Sequence, residues 1–397
     1  MTDPWVTFAG RAAGAEVAGY FERSSDRSRG SGVAVSFTHA DEVRTLDPST
    51  EVGDLARTSD RFLQGDRRRA IVGYAGFDSV GLFEPALHSF ASGAPFPLGE
   101  FAVVTKTEVR PVPARRVVPG STVTPSRPRE DSMTRSAFER GVRSLRREIR
   151  DGEAYQVVLA HRRAWSRPKD LLERAGRLRA SERYAFFFYL RFGDRELVGA
   201  TPESVVEVDG ASAYVNPIAG TIWPGAEAEG RLPLEVDPKE LAEHRMLVDL
   251  ARNDLGGVAR PGSVRLLEKE RRVRYARLDH LVSRVTARLR PGIGAWQALG
   301  ATFPAGTVSG APKIRAIELL RRNEGTWRGP YAGAVGLLRP GGRADWALAI
   351  RTAFASGDRL YTAAGAGIVY RSVPSREYLE TLAKLAQIEG KLVGDDR

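Results

Sequence analysis

The chain has 397 residues, 42% hydrophobic and 27% charged, a balance typical of a globular protein with a sizeable core. It contains no cysteine, which excludes disulfides, zinc-thiolate sites, iron–sulfur clusters and a cysteine nucleophile. The net charge is +11, but the arginines are scattered and no nucleic-acid-binding signature is present, so we expect no nucleic acid partner.

No apolar run approaches the ~18 residues of a membrane-spanning helix. The first twenty residues also lack the basic-then-apolar pattern of a secretory signal. We therefore predict a cytoplasmic protein that makes no contact with a membrane.

Residues 1–130 contain short apolar segments separated by glycines, such as AIVGYAGFDSV and FAVVTKTEV, which predict a β-rich N-terminal lobe. The Pro-rich stretch 111–131 interrupts regular structure and indicates the boundary to a second region, 131–397. A helix follows it. We predict that Ser136 and Glu139 form its capping box, and that Asp151-Gly152 ends it.

Strands and helices then follow in groups. AYQVVLAHRRAW predicts a strand, and FFFYLRF and ELVGATPESVVEV predict a hairpin. Residues 237–253 predict a helix, LDHLVSRVTARL a strand, and Ala311–Arg322 a helix with Pro312 in its first turn. The last 70 residues predict three strands and a helix. This grouping favours an α+β fold over a doubly wound parallel sheet.

Two acid pairs lie on the predicted helices, Glu240/Glu243 and Glu377/Glu380. Each pair has i, i+3 spacing, which places both carboxylates on one helix face. Two such faces brought together would suit a hard cation such as Mg²⁺, whereas either pair alone could be solvated surface. Glycine-rich stretches alternate with the acid-bearing segments, namely PIAGT, FPAGTVSGAPK and AAGAGIV, and could offer backbone N–H groups to a small anion. The pattern favours a metal-dependent site.

These segments resemble, in order, the motifs of the chorismate-utilising enzymes, most closely anthranilate synthase component I. The motifs are GEAYQVVLAHR, GATPESVVEV, NPIAGT, EHRMLVDLARNDLG, LDHLVSRV, FPAGTVSGAPKIRAIELL, YAGAVGLL, ALAIRTAF and AAGAGIVYRSVPSREYLETLAKL. They cover roughly the last 250 residues, and GYAGFDSVGLFEP is a weaker counterpart nearer the start. The resemblance implies a lyase fold of two large, mostly antiparallel sheets packed together with helices outside.

The resemblance also implies a metal site and a general acid. Glu243 and Glu380 would bind Mg²⁺, and Glu240 and Glu377 would reach it through water. Glu203, in the TPES turn, matches the general acid that would protonate the departing 4-hydroxyl of chorismate, which requires burial or neighbouring acids to raise its pKa. The alternative for Glu203 is an exposed turn acid.

The remaining matched residues would bind substrate. Arg351, Tyr331 and the backbone at Gly365 and Gly367 would hold the enolpyruvyl carboxylate. The ring carboxylate would be held by Gly220, Thr221 and Lys384. Lys384 could equally form a helical ion pair with Glu380. Thr307 is also matched as a substrate residue. His244 and His280 match histidines near the ring, and each could instead be structural.

Two positions point to the nucleophile. Water-adding relatives have a lysine base where this chain has Gln156, and para-aminating relatives a lysine nucleophile where it has Ala219. The resemblance therefore favours ammonia attack at C2, giving 2-amino-2-deoxyisochorismate and, after pyruvate elimination, anthranilate. An aminodeoxychorismate synthase component I and an isochorismate or salicylate synthase remain alternatives within the family. Outside it, the alternatives are a non-catalytic relative and a nucleic-acid-binding protein.

Three further expectations concern supply and control. Because relatives obtain ammonia from a glutamine amidotransferase with a cysteine nucleophile, this cysteine-free chain would need a separate amidotransferase subunit. The loop reads GTIWPG, with Ile222 in place of an arginine of the family. The family's tryptophan-binding elements are not recognisable, and FERSSDRS and ERYAFFFYL stand in the comparable places. This absence predicts an enzyme of specialised metabolism that tryptophan does not inhibit.

Overall fold

The computed structural model describes residues 3–26, 31–87, 93–114, 127–222, 232–275 and 278–393. The first elements are α1 (Pro4–Ala12), β1 (Val17–Asp26), β2 (Ser31–Phe37), β3 (Glu42–Leu46), α2 (Val52–Leu63), β4 (Ala70–Ala75), α3 (Val80–Phe83), β5 (Gly99–Val104), β6 (Glu108–Val112), β7 (Glu130–Asp131) and α4 (Arg135–Arg150). The next are β8 (Gln156–Ser166), α5 (Leu171–Ser181), β9 (Phe186–Phe192), β10 (Arg195–Thr201), β11 (Ser204–Asp209), β12 (Ser212–Val215), β13 (Ile218–Ile222) and α6 (Pro238–Gly256). The last are β14 (Arg265–Tyr275), β15 (Leu278–Arg288), α7 (Ala295–Thr302), β16 (Gly310–Ala311), α8 (Lys313–Glu324), β17 (Ala334–Arg339), β18 (Arg343–Leu348), β19 (Thr352–Ser356), β20 (Arg359–Ile368) and α9 (Pro374–Leu392).

The strands form two ten-stranded sheets. The first sheet has the order β16-β8-β20-β19-β10-β9-β1-β2-β6, with β7 also paired to β8. The second has the order β13-β15-β12-β11-β18-β17-β4-β5-β3, with β14 also paired to β15. The paired strands of the described residues run antiparallel. The predicted α+β fold of two large, mostly antiparallel sheets is confirmed.

Strand β9, the FFFYLRF segment, shows why the sheets pack together. Side chains alternate across a strand, and every second residue of β9 enters the core that both sheets share: Phe186, Phe188 and Leu190. The intervening Phe187 and Tyr189 enter a second core, formed with helices α1, α5 and α9 on the other face. An unbroken apolar run is therefore required, because both faces of this strand are buried.

Several predicted elements have shifted boundaries. Helix α4 begins one residue after Thr134, whose hydroxyl oxygen accepts a hydrogen bond from the Ala137 N–H, so the predicted Ser136 cap is wrong and Ser136 lies in the first turn. Ala311 belongs to β16 and helix α8 starts after Pro312. The C-terminal part has four strands before α9, because the ALAIRTAF segment is divided between β18 and β19 at Arg351.

Both sheets contain strands from before and after residue 130. Strand β1 pairs with β9 in the first sheet, and β4 pairs with β17 in the second. Segments 1–130 and 131–397 therefore contribute strands to the same two sheets. Their division into two regions remains a prediction. Among the described residues, the helices are too short or too polar to cross a membrane.

Candidate active site

Three strands of the first sheet end around Gln156. This residue begins β8 and pairs with Ala311 of β16, while the adjacent Val157 pairs with Ile368 of β20. A Cβ atom added at Gly367 would lie 2.4 Å from the Gln156 side-chain Nε2. The buried amide of Gln156 therefore lies against the Gly367 backbone, and glycine is the residue that leaves room for it.

Gly365, two residues away on β20, contacts two more of the predicted substrate residues. Lys384 Nζ donates to the Gly365 carbonyl oxygen at 2.8 Å and lies 2.8 Å from Glu380 Oε1. The Gly365 N–H donates to the phenol oxygen of Tyr331. Burial raises the pKa of Tyr331 to about 12, so this phenol is protonated at neutral pH and can donate a hydrogen bond.

Glu203 lies in the short connection between β10 and β11 and is 9% exposed, so it is not the solvated turn acid that was its alternative. The Thr307 hydroxyl donates to Glu203 Oε1 at 2.8 Å. Both residues line a cavity of about 30 Å³, which has room for one or two water molecules. The structure thus brings together the predicted general acid and Thr307, 104 residues apart in the chain.

A buried arginine that sequence reasoning missed, Arg328, connects the loop beside Glu203 to strand β8. Arg328 donates to the carbonyl oxygens of Val308 and Val158, each at 2.7 Å, and forms an ion pair with Glu324 at 2.6 Å. Val308 follows Thr307 in the loop beside Glu203, and Val158 lies in β8 close to Gln156. Arg328 therefore fixes the loop relative to the strand. The short RGPYAG segment that contains it was the available sequence signal.

Asp254 and Lys313 form a second missed pair, with Lys313 Nζ 3.0 Å from Asp254 Oδ2. Asp254 comes from α6 and lines the same small cavity as Glu203. Burial raises the pKa of Asp254, and the Lys313 ammonium partly offsets this effect. A second carboxyl group thus lines the cavity beside Glu203. Its sequence signal was the RND segment that ends the acid-bearing helix.

His244 is fully buried on α6, and one of its ring nitrogens is bonded to a neighbouring strand. Its Nε2 lies 2.7 Å from the Ser283 hydroxyl, which also accepts the Glu270 N–H at 2.9 Å. Because a hydroxyl has one hydrogen and two lone pairs, this contact is compatible with either tautomer of the neutral ring. Burial lowers the pKa of His244, Glu270 opposes this effect and Arg245 adds to it. Nδ1 has no hydrogen-bond partner in the structure.

The predicted residues Ala219, Gly220 and Thr221 lie in β13 of the second sheet. This strand pairs with β15, where Ala219 is opposite Leu281. His280 precedes Leu281 and is buried. Gly220 and Thr221 are consequently on the strand that pairs with the strand of His280.

Arg351 lies between β18 and β19 and adopts φ = 50°, in the left-handed region that arginine rarely adopts. Its carbonyl oxygen accepts the Ala200 N–H at 3.2 Å. Such strained residues persist where the surrounding structure determines them, and they cluster at functional sites. The backbone of Arg351 is thus held in an unusual conformation, and the residue is partly buried.

The two acid pairs lie on helices α6 and α9, as predicted. Glu240, Glu243 and Glu377 are partly buried and Glu380 is exposed. No group of three or more His, Asp or Glu side chains close enough to hold a metal ion occurs in the described part of the chain. Mg²⁺ is usually bound by one or two carboxylates together with water and substrate oxygens, and carboxylates are the donor groups that these helices offer. The metal site stays a prediction.

Comparisons with known proteins agree with the sequence motifs. The chain matches the family of chorismate binding enzymes over residues 16–390. It is 42% identical over 264 residues to anthranilate synthase component 1 of Saccharolobus solfataricus, an alignment that covers 66% of this chain and 63% of the relative. It is 45% identical over 252 residues to the Spirochaeta aurantia protein of the same name, covering 62% and 52%. The alignments thus span between half and two thirds of these relatives.

Solved structures with the same fold cover nearly the whole chain. Anthranilate synthase component I from Streptococcus pneumoniae TIGR4 superposes with a TM-score of 0.74 at 28% identity, covering 94% of this chain and 92% of that one. A putative 2,3-dihydroxybenzoate-specific isochorismate synthase, DhbC from Bacillus anthracis, superposes with a TM-score of 0.76 at 20% identity, covering 95% and 96%. The second likeness concerns the fold alone.

Proposed function

Because this chain belongs to the family of chorismate binding enzymes, we propose that it is a lyase that aminates chorismate at C2 with ammonia. The products would be 2-amino-2-deoxyisochorismate and water, followed by elimination of pyruvate to give anthranilate. The observation that carries this proposal is the buried side-chain amide of Gln156 against Gly367, on strands that also contain the groups proposed to bind substrate.

The glutamine at position 156 bears on whether water or ammonia is the nucleophile. Its amide has no proton-accepting nitrogen, so it cannot remove a proton from water at neutral pH. Ammonia needs no such base, because its lone pair is available as soon as the molecule is unprotonated. Ala219, which has no nucleophilic group, leaves no covalent route through that position either. The residues therefore favour direct attack by ammonia.

The departing 4-hydroxyl needs a proton as its C–O bond breaks. The candidate donor is Glu203, whose Oε1 is held by the Thr307 hydroxyl at 2.8 Å. This hydrogen bond orients the carboxyl group, and burial keeps it away from bulk water. Thr307 would be a positioning residue for Glu203.

Two anionic groups of chorismate must also be bound. Lys384 and the Arg351 guanidinium would provide positive charge, and the Tyr331 hydroxyl and the neutral His244 Nδ1–H would provide hydrogen bonds. The acid pairs on α6 and α9 would hold Mg²⁺ through Glu243 and Glu380. The ion, when bound, would neutralise the ring carboxylate.

Ammonia is mostly protonated at neutral pH, so an unaided enzyme would be slow under those conditions. A chain without cysteine cannot contain the cysteine-dependent glutaminase that relatives use. We therefore expect a separate glutamine amidotransferase subunit as the partner, and chorismate and Mg²⁺ as the small ligands. The proposed setting is the cytoplasm.

The test is incubation of the purified protein with chorismate, Mg²⁺ and ammonium at alkaline pH, with products identified by chromatography and mass. Anthranilate plus pyruvate supports the full proposal, and aminodeoxyisochorismate alone limits it to the first step. Isochorismate or 4-amino-4-deoxychorismate would contradict the roles of Gln156 or Ala219. A Glu203→Gln variant serves as the inactive control, because it keeps the shape but cannot donate the proton.

A further inference from the structure

The position where this chain departs from the family pattern, Ile222, has contacts that the proposed reaction does not use. Ile222 is the last residue of β13 and is 2% exposed. It belongs to a small apolar cluster, distinct from the two larger cores, with Leu234 and Leu281, and Leu241 packs against this cluster. An apolar contact is therefore present where the family has an arginine.

The cluster joins three segments of the candidate site. Leu234 is in the turn that leads into α6. Leu241 lies on α6 between Glu240 and Glu243, two of the proposed metal residues. Leu281 lies on β15, the strand that pairs with β13. The cluster thus packs the acid-bearing helix onto the end of β13.

Ile222 also follows a β-bulge. Strands β13 and β15 pair in one register up to Ala219 and in a shifted register at Ile222. The extra residue of β13 lies between them, so Gly220–Thr221 are opposite the single residue His280. Register is strongly specified where one face of a strand is buried, and Ile222 is the buried residue on the far side of this bulge.

The charges beside the cluster explain why an arginine is not needed at position 222. Asp279, opposite Ile222, is buried and lies 2.8 Å from the guanidinium of Arg272 on β14. The same guanidinium lies 3.7 Å from Glu235, which follows Leu234 in the turn before α6. Since Asp279 already has a cationic partner, an apolar side chain can fill the space opposite it without leaving a buried charge unpaired.

We propose that Ile222 is a positioning residue that fixes the Gly220–Thr221 bulge relative to α6. Its packing sets the register of β13 after the bulge and holds the helix against that strand. The backbone proposed to bind the ring carboxylate and the Glu243 carboxylate proposed to bind Mg²⁺ are thereby kept in one arrangement. Glu203 and Gln156 lie on other elements and do not depend on this contact.

The structural part of the proposal can be tested without any activity, by hydrogen exchange followed with mass spectrometry. In an Ile222→Ala variant we expect the amides of residues 218–222 and 238–244 to exchange at least about threefold faster than in the parent protein, because these segments lose the contact that closes them. Strand β4 should exchange at the parent rate. Equal acceleration in all three segments would show a general loss of stability, and it would overturn the proposal, as would unchanged exchange.

The kinetic part rests on the proposed function. We expect Ile222→Ala to raise the KM for chorismate and the Mg²⁺ concentration for half-maximal rate about threefold to tenfold, with kcat within about threefold, because binding is disturbed and the proton donor is not. Ile222→Leu keeps the apolar volume and should stay within about threefold of the parent protein. Ile71→Ala is the matched control, because Ile71 is also 2% exposed in a strand of the second sheet but lies outside the cluster. It should lose stability without a change in KM.

Leu241→Ala removes the α6 side of the same contact, and because Leu241 is only partly buried this change is the milder one for folding. It should change the KM and the Mg²⁺ requirement in the same direction as Ile222→Ala. Unchanged values in both variants, or an equal rise in Ile71→Ala, would overturn the positioning role. If the parent protein shows no turnover of chorismate, the proposed function fails, while hydrogen exchange still decides whether the cluster holds β13 and α6 together.

Discussion

Replacing His244 by asparagine or glutamine separates the two nitrogens of its ring. The amide nitrogen of asparagine can occupy the place of Nδ1, and that of glutamine the place of Nε2. In the structure Nε2 is bonded to Ser283 and Nδ1 has no partner. A buried N–H without a partner costs about 1–3 kcal/mol, and a ligand that accepts from it recovers that energy. We propose that His244 has its hydrogen on Nδ1 and donates it to bound substrate.

The expected effect on catalysis follows from this difference. His244→Gln keeps a partner for Ser283 but removes the donor at Nδ1. We therefore expect kcat/KM for chorismate to fall roughly 30-fold, which corresponds to about 2 kcal/mol of lost transition-state stabilisation. His244→Asn keeps a donor at Nδ1 and should retain more activity. The assay is the initial rate of anthranilate formation with ammonium. If the glutamine variant is the more active of the two, the proposed tautomer is wrong.

Stability against pH gives an independent check on the same residue. Burial lowers the pKa of folded His244 below its ordinary value of 6.5, so the unfolded chain binds the proton more tightly. The stability contributed by the neutral ring is complete above about pH 6.5 and is lost as pH falls towards the folded-state pKa, at most about 1.4 kcal/mol per pH unit. Urea unfolding at pH 5, 6 and 7.5 should show that the free energy of unfolding falls less steeply with falling pH in both His244 variants than in the parent protein. Asp78, whose pKa burial raises to about 6, acts in the opposite direction but is present in all three proteins, so its effect cancels. Parallel pH profiles would refute the reasoning.

Three further predictions concern the substrate strands and regulation. Gly367→Ala places a Cβ 2.4 Å from the Gln156 amide, so the amide must move. We expect the rate to fall at least tenfold while the free energy of unfolding, measured with urea, falls by less than about 3 kcal/mol. Gly10→Ala is the control that should be unaffected, because a Cβ there meets nothing within 4 Å. Gln156→Lys introduces a possible base beside the substrate, and we expect isochorismate to appear in mass spectra of the products; an unchanged product set would contradict the role of this position. Tryptophan at about 1 mM should not slow the reaction. In the segment that corresponds to an effector element of relatives, Arg23 of β1 forms ion pairs with the buried acids Glu207, at 2.6 Å, and Asp345, at 2.7 Å. Competitive inhibition by tryptophan would refute this prediction.

The sequence predicted the parts of the fold whose signals are local. The apolar run of FFFYLRF and the i, i+3 spacing of Glu240/Glu243 depend only on neighbouring residues, and both elements formed as predicted. The start of α4 was placed two residues late because Ser136 and Thr134 are both good caps, and only the backbone geometry at Thr134 distinguishes them. Such errors at helix ends are expected when two capping residues lie close together.

The sequence could not predict the contacts that join distant segments. Lys313 pairs with Asp254 across 59 residues, and Arg328 reaches Val158 across 170. Neither arises from a periodic pattern, since each depends on how the two sheets are stacked. Family resemblance named Glu203 and Thr307 separately, but their hydrogen bond is visible only in the structure.

The places where the chain passes between the sheets explain why the candidate residues converge. Glu203 lies between β10 of the first sheet and β11 of the second, and Arg351 lies between β18 of the second and β19 of the first. These two crossings are bonded to each other's strands: the Leu348 N–H donates to the Glu203 carbonyl oxygen at 3.0 Å, and the Ala200 N–H to that of Arg351 at 3.2 Å. Each crossing has only a few residues, so its backbone is held from both sides and has little freedom to adjust. The residues proposed as proton donor and anion-binding guanidinium are thus held by the packing of the sheets, which is the arrangement that transition-state binding requires of a rigid site.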